Sequence, residues 1–141
     1  MQLRPARDDD REFIFEAYKA TLQSYVDWAW GWDEDFQRNG FWKHHPFNEF
    51  RVVTIGEKIV GGIHTEEQET LNFVRLIFLL PEFQGLGVGS KLLLDEGIRA
   101  SESNKQLHLK VIKINPAKRL YDRLGFVVVE EDNVTYHMRL V

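Results

Sequence analysis

From Phe13 onward, apolar residues recur at three- and four-residue spacing: Phe13, Ile14, Ala17, Tyr18, Leu22, Tyr25, Val26 and Ala29. That is the period of one helix face, and it predicts a long amphipathic helix. Asp8, Asp9 and Asp10 stand before it as N-cap candidates and bring negative charge to its positive end. Residues 2–6 read as a short first strand, kept near a sheet edge by Pro5. A second, short helix is predicted from Asp33 to the Asn39-Gly40 pair, which suits a helix end.

Beyond position 50 the pattern turns extended. Residues 51–55 and 58–65 read as two strands joined by a tight turn at Gly56-Glu57. Residues 71–80 form a third extended segment whose last five positions are all apolar, as in a strand covered on both faces. Helical spacing returns over 87–103, with Val88, Leu92, Leu93, Glu96 and Ile98 on the buried side. Residues 107–112 read as a strand, and 116–125 as a short helix opened by Pro116 and closed by Gly125. Phe126–Glu131 and 134–140 make a closing hairpin around Asp132-Asn133. Hairpins impose antiparallel pairing and a strand–helix–strand crossover imposes parallel pairing. The expected fold class is therefore mixed α/β (α+β) around one mixed sheet flanked by helices. No repeat or linker interrupts the 141 residues, so a single domain over 1–141 is expected.

Composition narrows the function classes. There is no cysteine, which removes disulfides, thiolate metal sites and a cysteine nucleophile. The five histidines include the neighbours His44 and His45, but no helical His-x-x-x-His accompanies them, and no metal site is expected. A net charge of −4 argues against a general nucleic-acid binder, yet leaves room for a small anionic ligand held by backbone amides. The charged start lacks an apolar signal core, and Leu76 to Leu80 is too short to span a bilayer. A soluble cytoplasmic protein without membrane partners is the expectation, with monomer and homodimer both open.

The most informative stretch is Pro81-Glu82-Phe83-Gln84-Gly85-Leu86-Gly87-Val88-Gly89-Ser90, between the apolar strand and a helix. Three alternate glycines let backbone N–H groups approach a ligand, and the helix start adds free donors and a positive dipole end. A pyrophosphate cradle is the functional reading; a plain strand-to-helix turn is the competing one. The spacing fits neither a G-x-G-x-x-G dinucleotide fingerprint nor a P-loop ending in Gly-Lys-Ser/Thr.

Gln84-Gly85-Leu86-Gly87-Val88-Gly89 resembles the acetyl-CoA loop Gln/Arg-x-x-Gly-x-Gly/Ala of the GNAT family of N-acetyltransferases, and the element order resembles theirs along nearly the whole chain. The resemblance implies the acyl-CoA N-acyltransferase fold, a mostly antiparallel central sheet, and acetyl-CoA as co-substrate. It implies that Gln84, Gly85, Leu86, Gly87, Val88, Gly89 and Ser90 hold the pyrophosphate. It also implies a strand splayed open near Leu79, with Phe78, Leu79 and Leu80 along the pantetheine arm. The segment from Asn115 to Phe126 is similar to the family's Asn-…-Tyr-…-Gly-Phe pattern. By that similarity Asn115 binds the pantetheine arm and Tyr121 is the general acid that protonates the departing coenzyme A thiolate. The implied activity is transfer of an acetyl group to a primary amine by direct attack.

The attacking amine must be neutral, so a proton acceptor is needed. Many relatives carry a glutamate on the strand before the loop, where this chain has Asn72, Val74 and Arg75. On the preceding strand His64 and Glu66 share a face by the two-residue period, and both are candidates. A water chain without a dedicated base is the alternative. Trp28, Trp30, Trp32 and Trp42, with Phe36, Phe41, Phe47 and Phe50, crowd the first third of the chain. They read either as an acceptor wall rimmed by Asp27, Asp33, Glu34 and Asp35, or as a packing cluster. Two rival functions stand beside the enzyme: a non-catalytic acyl-CoA-binding or sensor module on the same fold, and a nucleotide-binding enzyme.

Overall fold

The structure is a computed structural model and describes all residues from Met1 to Val141. Its elements are β1 (Gln2–Pro5), α1 (Arg11–Trp30), α2 (Glu34–His44), β2 (Phe50–Ile55), β3 (Lys58–Glu67), β4 (Leu71–Leu79), α3 (Val88–Glu102), β5 (Gln106–Ile112), α4 (Lys118–Leu124), β6 (Phe126–Glu131) and β7 (Thr135–Leu140). The strands are hydrogen-bonded in the order β1-β2-β3-β4-β5-β7-β6. β4 and β5 run parallel, whereas β1–β2, β2–β3, β5–β7 and β6–β7 are antiparallel. The mixed α/β class and its mostly antiparallel sheet are as expected. The chain forms two compact units, Met1–Thr65 with Arg75–Gly85, and Glu66–Val74 with Leu86–Val141.

In the first unit α1 buries Ile14, Phe15, Ala17, Tyr18 and Val26. Phe13 stays outside, contrary to the periodicity reading. It lies about 100° around the helix from Ile14, and Phe15 takes the core position instead. Asp10 does not cap α1 with its side chain; the carboxylate turns back to accept from the Arg7 backbone N–H and pairs with Arg4. Asp33 is the N-cap of α2, accepting from Phe36 N at 2.9 Å. The helix does not end at Asn39-Gly40 but runs to His44. The reason is Phe41, buried against Phe15, Tyr18 and Phe50 with ring centroids 5.0 to 6.2 Å apart. Burying such a side chain stabilises by about 1.5–3 kcal/mol, more than the ~1 kcal/mol cost of a helix-interior glycine. Pro46 disfavours helix at His45, and α2 stops there.

Gly56, at φ +62°, makes the β2–β3 turn. The β2–β3 register shifts between Val53 and Thr54, leaving Val60 as an extra residue between Ile59 and Gly61. The next two residues are glycines with no room for a side chain. A Cβ on Gly61 would lie 2.2 Å from the Phe78 carbonyl oxygen, and one on Gly62 would lie 2.6 Å from the Phe50 ring. This close passage lets Leu80 N donate to Val60 O at 2.8 Å.

In the second unit α3 buries Leu92, Leu93, Glu96 and Ala100. Ile98 points outward and Ala100 takes its place in the stripe, a correction to the periodicity reading. Pro116 and Ala117 form a turn, so α4 begins at Lys118, and Gly125 closes it at φ +101°. The final hairpin turns on Asp132, whose carboxylate accepts from the backbone N–H of Val134 and Thr135.

Two glycine replacements are expected to move stability in opposite directions. Gly61→Ala should cost about 1–3 kcal/mol, the range for overpacking against unyielding backbone. Gly40→Ala meets only ordinary contact, 3.5 Å from the His44 ring, and should stabilise by about 0.5–1 kcal/mol. Urea denaturation of both variants checks the pair of signs.

Candidate active site

The glycine turn has the geometry of an anion cradle. Gly85 and Gly87 adopt φ +75° and +85°, the left-handed region open to glycine at little cost. Gly87 is the N-cap of α3, and the first-turn amides of that helix lack intrahelical acceptors. A Cβ built on either glycine meets nothing within 4 Å. The open space above them is therefore not demanded by packing of the chain itself, and it suits the close approach of a phosphate group. The residues present fit a coenzyme A pyrophosphate.

The turn is tied to the end of β4. The Gln84 side-chain amide donates to the Leu79 carbonyl at 2.9 Å, and Pro81–Phe83 make a single 3-10 turn between them. The parallel β4–β5 register runs from Leu71↔Gln106 to Val74↔Leu109, so Arg75 to Leu79 continue beyond it. Phe78 is buried in the first unit's core, and Leu79 and Leu80 are half-buried.

In the second unit Asn115 Oδ1 accepts from Ala117 N at 2.9 Å, bracing the turn into α4 and leaving the side-chain NH₂ as its remaining polar group. Tyr121 is buried, edge-on to Phe126 at 5.9 Å between centroids. Burial pushes its phenol up to about 12, so the hydroxyl keeps its proton at neutral pH.

His64 is 1% exposed, and both its ring nitrogens are engaged. Nε2 is 2.7 Å from Glu49 Oε1, and Nδ1 is 2.7 Å from Nδ1 of His45. His45 is held far below the ordinary 6.5, at about 3, by burial first and then by His64, His44 and Arg75. The sequence draws attention to His45 only as half of the His44-His45 pair weighed for a metal, and to Glu49 not at all. Glu66 is half-buried, and its carboxylate accepts from Gln68 Nε2 at 2.8 Å.

The aromatic cluster divides. Trp42 stacks on Phe47 at 4.4 Å with the Arg11 guanidinium 5.7 Å away, and Trp32 packs on Phe15 and Tyr18. These are packing residues. Trp30 and Phe36, 65% and 67% exposed, remain open. The acidic rim is largely engaged: Asp27 accepts from Trp32 N, Asp33 caps α2, and Glu34 pairs with Lys19 and Arg38.

A family model described as "Acetyltransferase (GNAT) domain" matches residues 33–141. The chain belongs to the GNAT acetyltransferase family. Among solved structures, the PaiA N-acetyltransferase from Thermoplasma acidophilum, in complex with coenzyme A, is similar with a TM-score of 0.78 at 18% identity, over 99% of this chain and 97% of that one. PH1933 from Pyrococcus horikoshii OT3 is similar with a TM-score of 0.77 at 22% identity, over 99% and 96% of the two chains. The ribosomal-protein-S18-alanine N-acetyltransferase from Escherichia coli is similar with a TM-score of 0.74 at 17% identity, over 99% and 92%. At these identities the likeness is one of fold. Comparison with curated protein sequences gives no match. No helix is long and apolar enough to cross a membrane.

The depressed His45 makes a signed prediction about acid. Between the ordinary 6.5 and about 3, the unfolded chain binds a proton at His45 that the folded chain refuses. Stability should therefore fall as pH is lowered through that window. Urea denaturation at pH 7 and pH 5 should show this loss in the parent and a smaller one in His45→Gln.

Proposed function

We propose that the protein transfers the acetyl group of acetyl-CoA to a primary amine, within one N-acetyltransferase domain. The carrying observation is the turn from Gln84 to Ser90, with two left-handed glycines over open space at the start of α3. Its amides bind the pyrophosphate as a ready-made array of donors, strengthened by the positive end of the helix. Gln84 holds the turn against Leu79, and the backbone from Phe78 to Leu80 orients the pantetheine arm. By its likeness to the family motif, Asn115 offers its side-chain NH₂ to pantetheine, its Oδ1 being taken by Ala117 N.

Tyr121 carries the proton side of the reaction. Acyl transfer by direct attack expels a thiolate, and a phenol kept protonated by burial donates to it as it leaves. Proton removal from the acceptor falls to His64 and its partners or to Glu66. The exposed indole of Trp30 and ring of Phe36 offer aromatic faces to an incoming ammonium, whereas Trp42 has its face covered by Phe47.

Gly87→Val forces a β-branched residue into a left-handed position and fills the space above the turn. It should weaken acetyl-CoA binding at least about tenfold, because the phosphate loses its approach. Calorimetric titration checks this, and a folded variant that binds as the parent does would place the cofactor elsewhere. Tyr121→Phe should lower kcat by about tenfold to a thousandfold with little change in acetyl-CoA affinity. Steady-state kinetics with a thiol-detecting readout measure it; undiminished turnover with chemistry rate-limiting removes Tyr121 from the mechanism.

A further inference from the structure

An acceptor that arrives as an ammonium must lose a proton before its nitrogen can attack, and this demand rests on the acetyltransferase reading. We propose that Glu49, His64 and His45 form a proton relay, and that Nε2 of His45 is its open end and takes the proton of the acceptor amine. His64 is then a positioning and charge-storing residue within the relay, and His45 is the group that meets substrate.

The donor pattern follows from what each atom can do. An ionised carboxylate only accepts, so His64 Nε2 carries the hydrogen in the 2.7 Å bond to Glu49. One hydrogen then lies between His64 Nδ1 and His45 Nδ1, also 2.7 Å apart. With both rings neutral it belongs to His45, and His45 Nε2 is a bare lone pair. No group of the chain hydrogen-bonds to that atom. The buried side-chain polar atoms without partners are Asn72 Oδ1 and Arg139 Nε. His45 Nε2 is not among them, so it meets solvent. His64, 1% exposed with both nitrogens taken, has no such opening.

The proton balance is simple. The N–H bond of the ammonium breaks and a hydrogen joins His45 Nε2. The hydrogen on His45 Nδ1 passes to His64 Nδ1. The result is a neutral amine, a neutral His45 and a cationic His64 held against the Glu49 carboxylate. No electrons change hands beyond the lone pair released on the amine.

The surrounding charges set the direction of this transfer. Burial first, and then His64, His44 and the Arg75 guanidinium from β4, disfavour a cation on His45. One ring further in, the Glu49 carboxylate stands 2.7 Å from His64 Nε2. A proton received outside therefore moves inward, away from the reacting centre. Local structure builds the arrangement. Pro46 ends α2 just after His45, and the turn Phe47–Glu49 closes with Glu49 N bonded to Pro46 O at 3.0 Å. The register Phe50↔His64 then brings β3 alongside.

The test reads the pH dependence of kcat/KM for the amine together with the ring protonation states. His45→Gln should lower kcat/KM at neutral pH by on the order of a hundredfold, with recovery as pH rises toward the amine's own ionisation. Glu49→Gln keeps a hydrogen-bond acceptor but loses the charge; it should lower the rate and move the acidic limb of the profile to lower pH. Acetyl-CoA affinity and fold should be retained in Glu49→Gln. A cluster that only holds the fold together would lower stability without moving that limb, and an unmoved limb in both variants overturns the relay. Nitrogen-15 NMR of the parent at neutral pH should find a hydrogen on Nε2 of His64 and on Nδ1 of His45, with His64 neutral. A cationic His64 there would be a relay already loaded, and it too overturns the proposal. A parent that transfers acetyl to no amine overturns the reaction assignment and this role with it, and that failure is visible before any variant is made.

Discussion

The site hangs on a contact that only hydrogen can make. At Gly61 the β3 backbone comes so near the Phe78 carbonyl that any Cβ would sit 2.2 Å from it. Because nothing intervenes, Leu80 bonds to Val60 and the last residues of β4 are held in place as they enter the 3-10 turn. Gln84 then reaches back to Leu79, and the chain leaves toward Gly85 and Gly87 with its direction already set. If the turn holds an anion as proposed, its backbone amides have no side chains to adjust their aim, so their accuracy comes from the strand that feeds them.

The conformation of the glycine turn and of the turn into α4 was legible because it is local: adjacent residues, read in order, supply it. The end of α2 was not. Asn39-Gly40 carry a stop signal, and the burial of Phe41 among rings from α1 and β2 overrides it, a tertiary effect invisible in a short window. The same limit hid the His45–His64–Glu49 cluster. His64 stood out for its chemistry, but Glu49 and His45 reach it only through the Pro46 turn and the β2–β3 pairing. Two adjacent glycines inside a strand pattern, Gly61 and Gly62, mark a place where another backbone passes close.

Charge in this chain is more committed than its composition suggests. Of the acidic residues around the α1–α2 junction, Asp27 and Asp33 satisfy backbone N–H groups, and Glu34 shares Arg38 with Glu12 and Glu16. Arg38 thereby links two helices by exposed pairs whose strength depends on salt. The field these carboxylates would offer the proposed amine acceptor is smaller than their count implies, and Trp30 and Phe36 are the aromatic rings left open beside them.

All four tryptophans lie in the first unit, two of them exposed and two packed into the aromatic cluster. The indole emission of this protein is consequently a one-sided lamp. Excited at the red edge, where tyrosine is dark, it reports the packing around Trp32 and Trp42 and the solvent at Trp28 and Trp30. Opening of α3, or of the closing hairpin, contributes no indole of its own to that signal. A loss of structure confined to those elements has to be followed by amide or tyrosine probes instead.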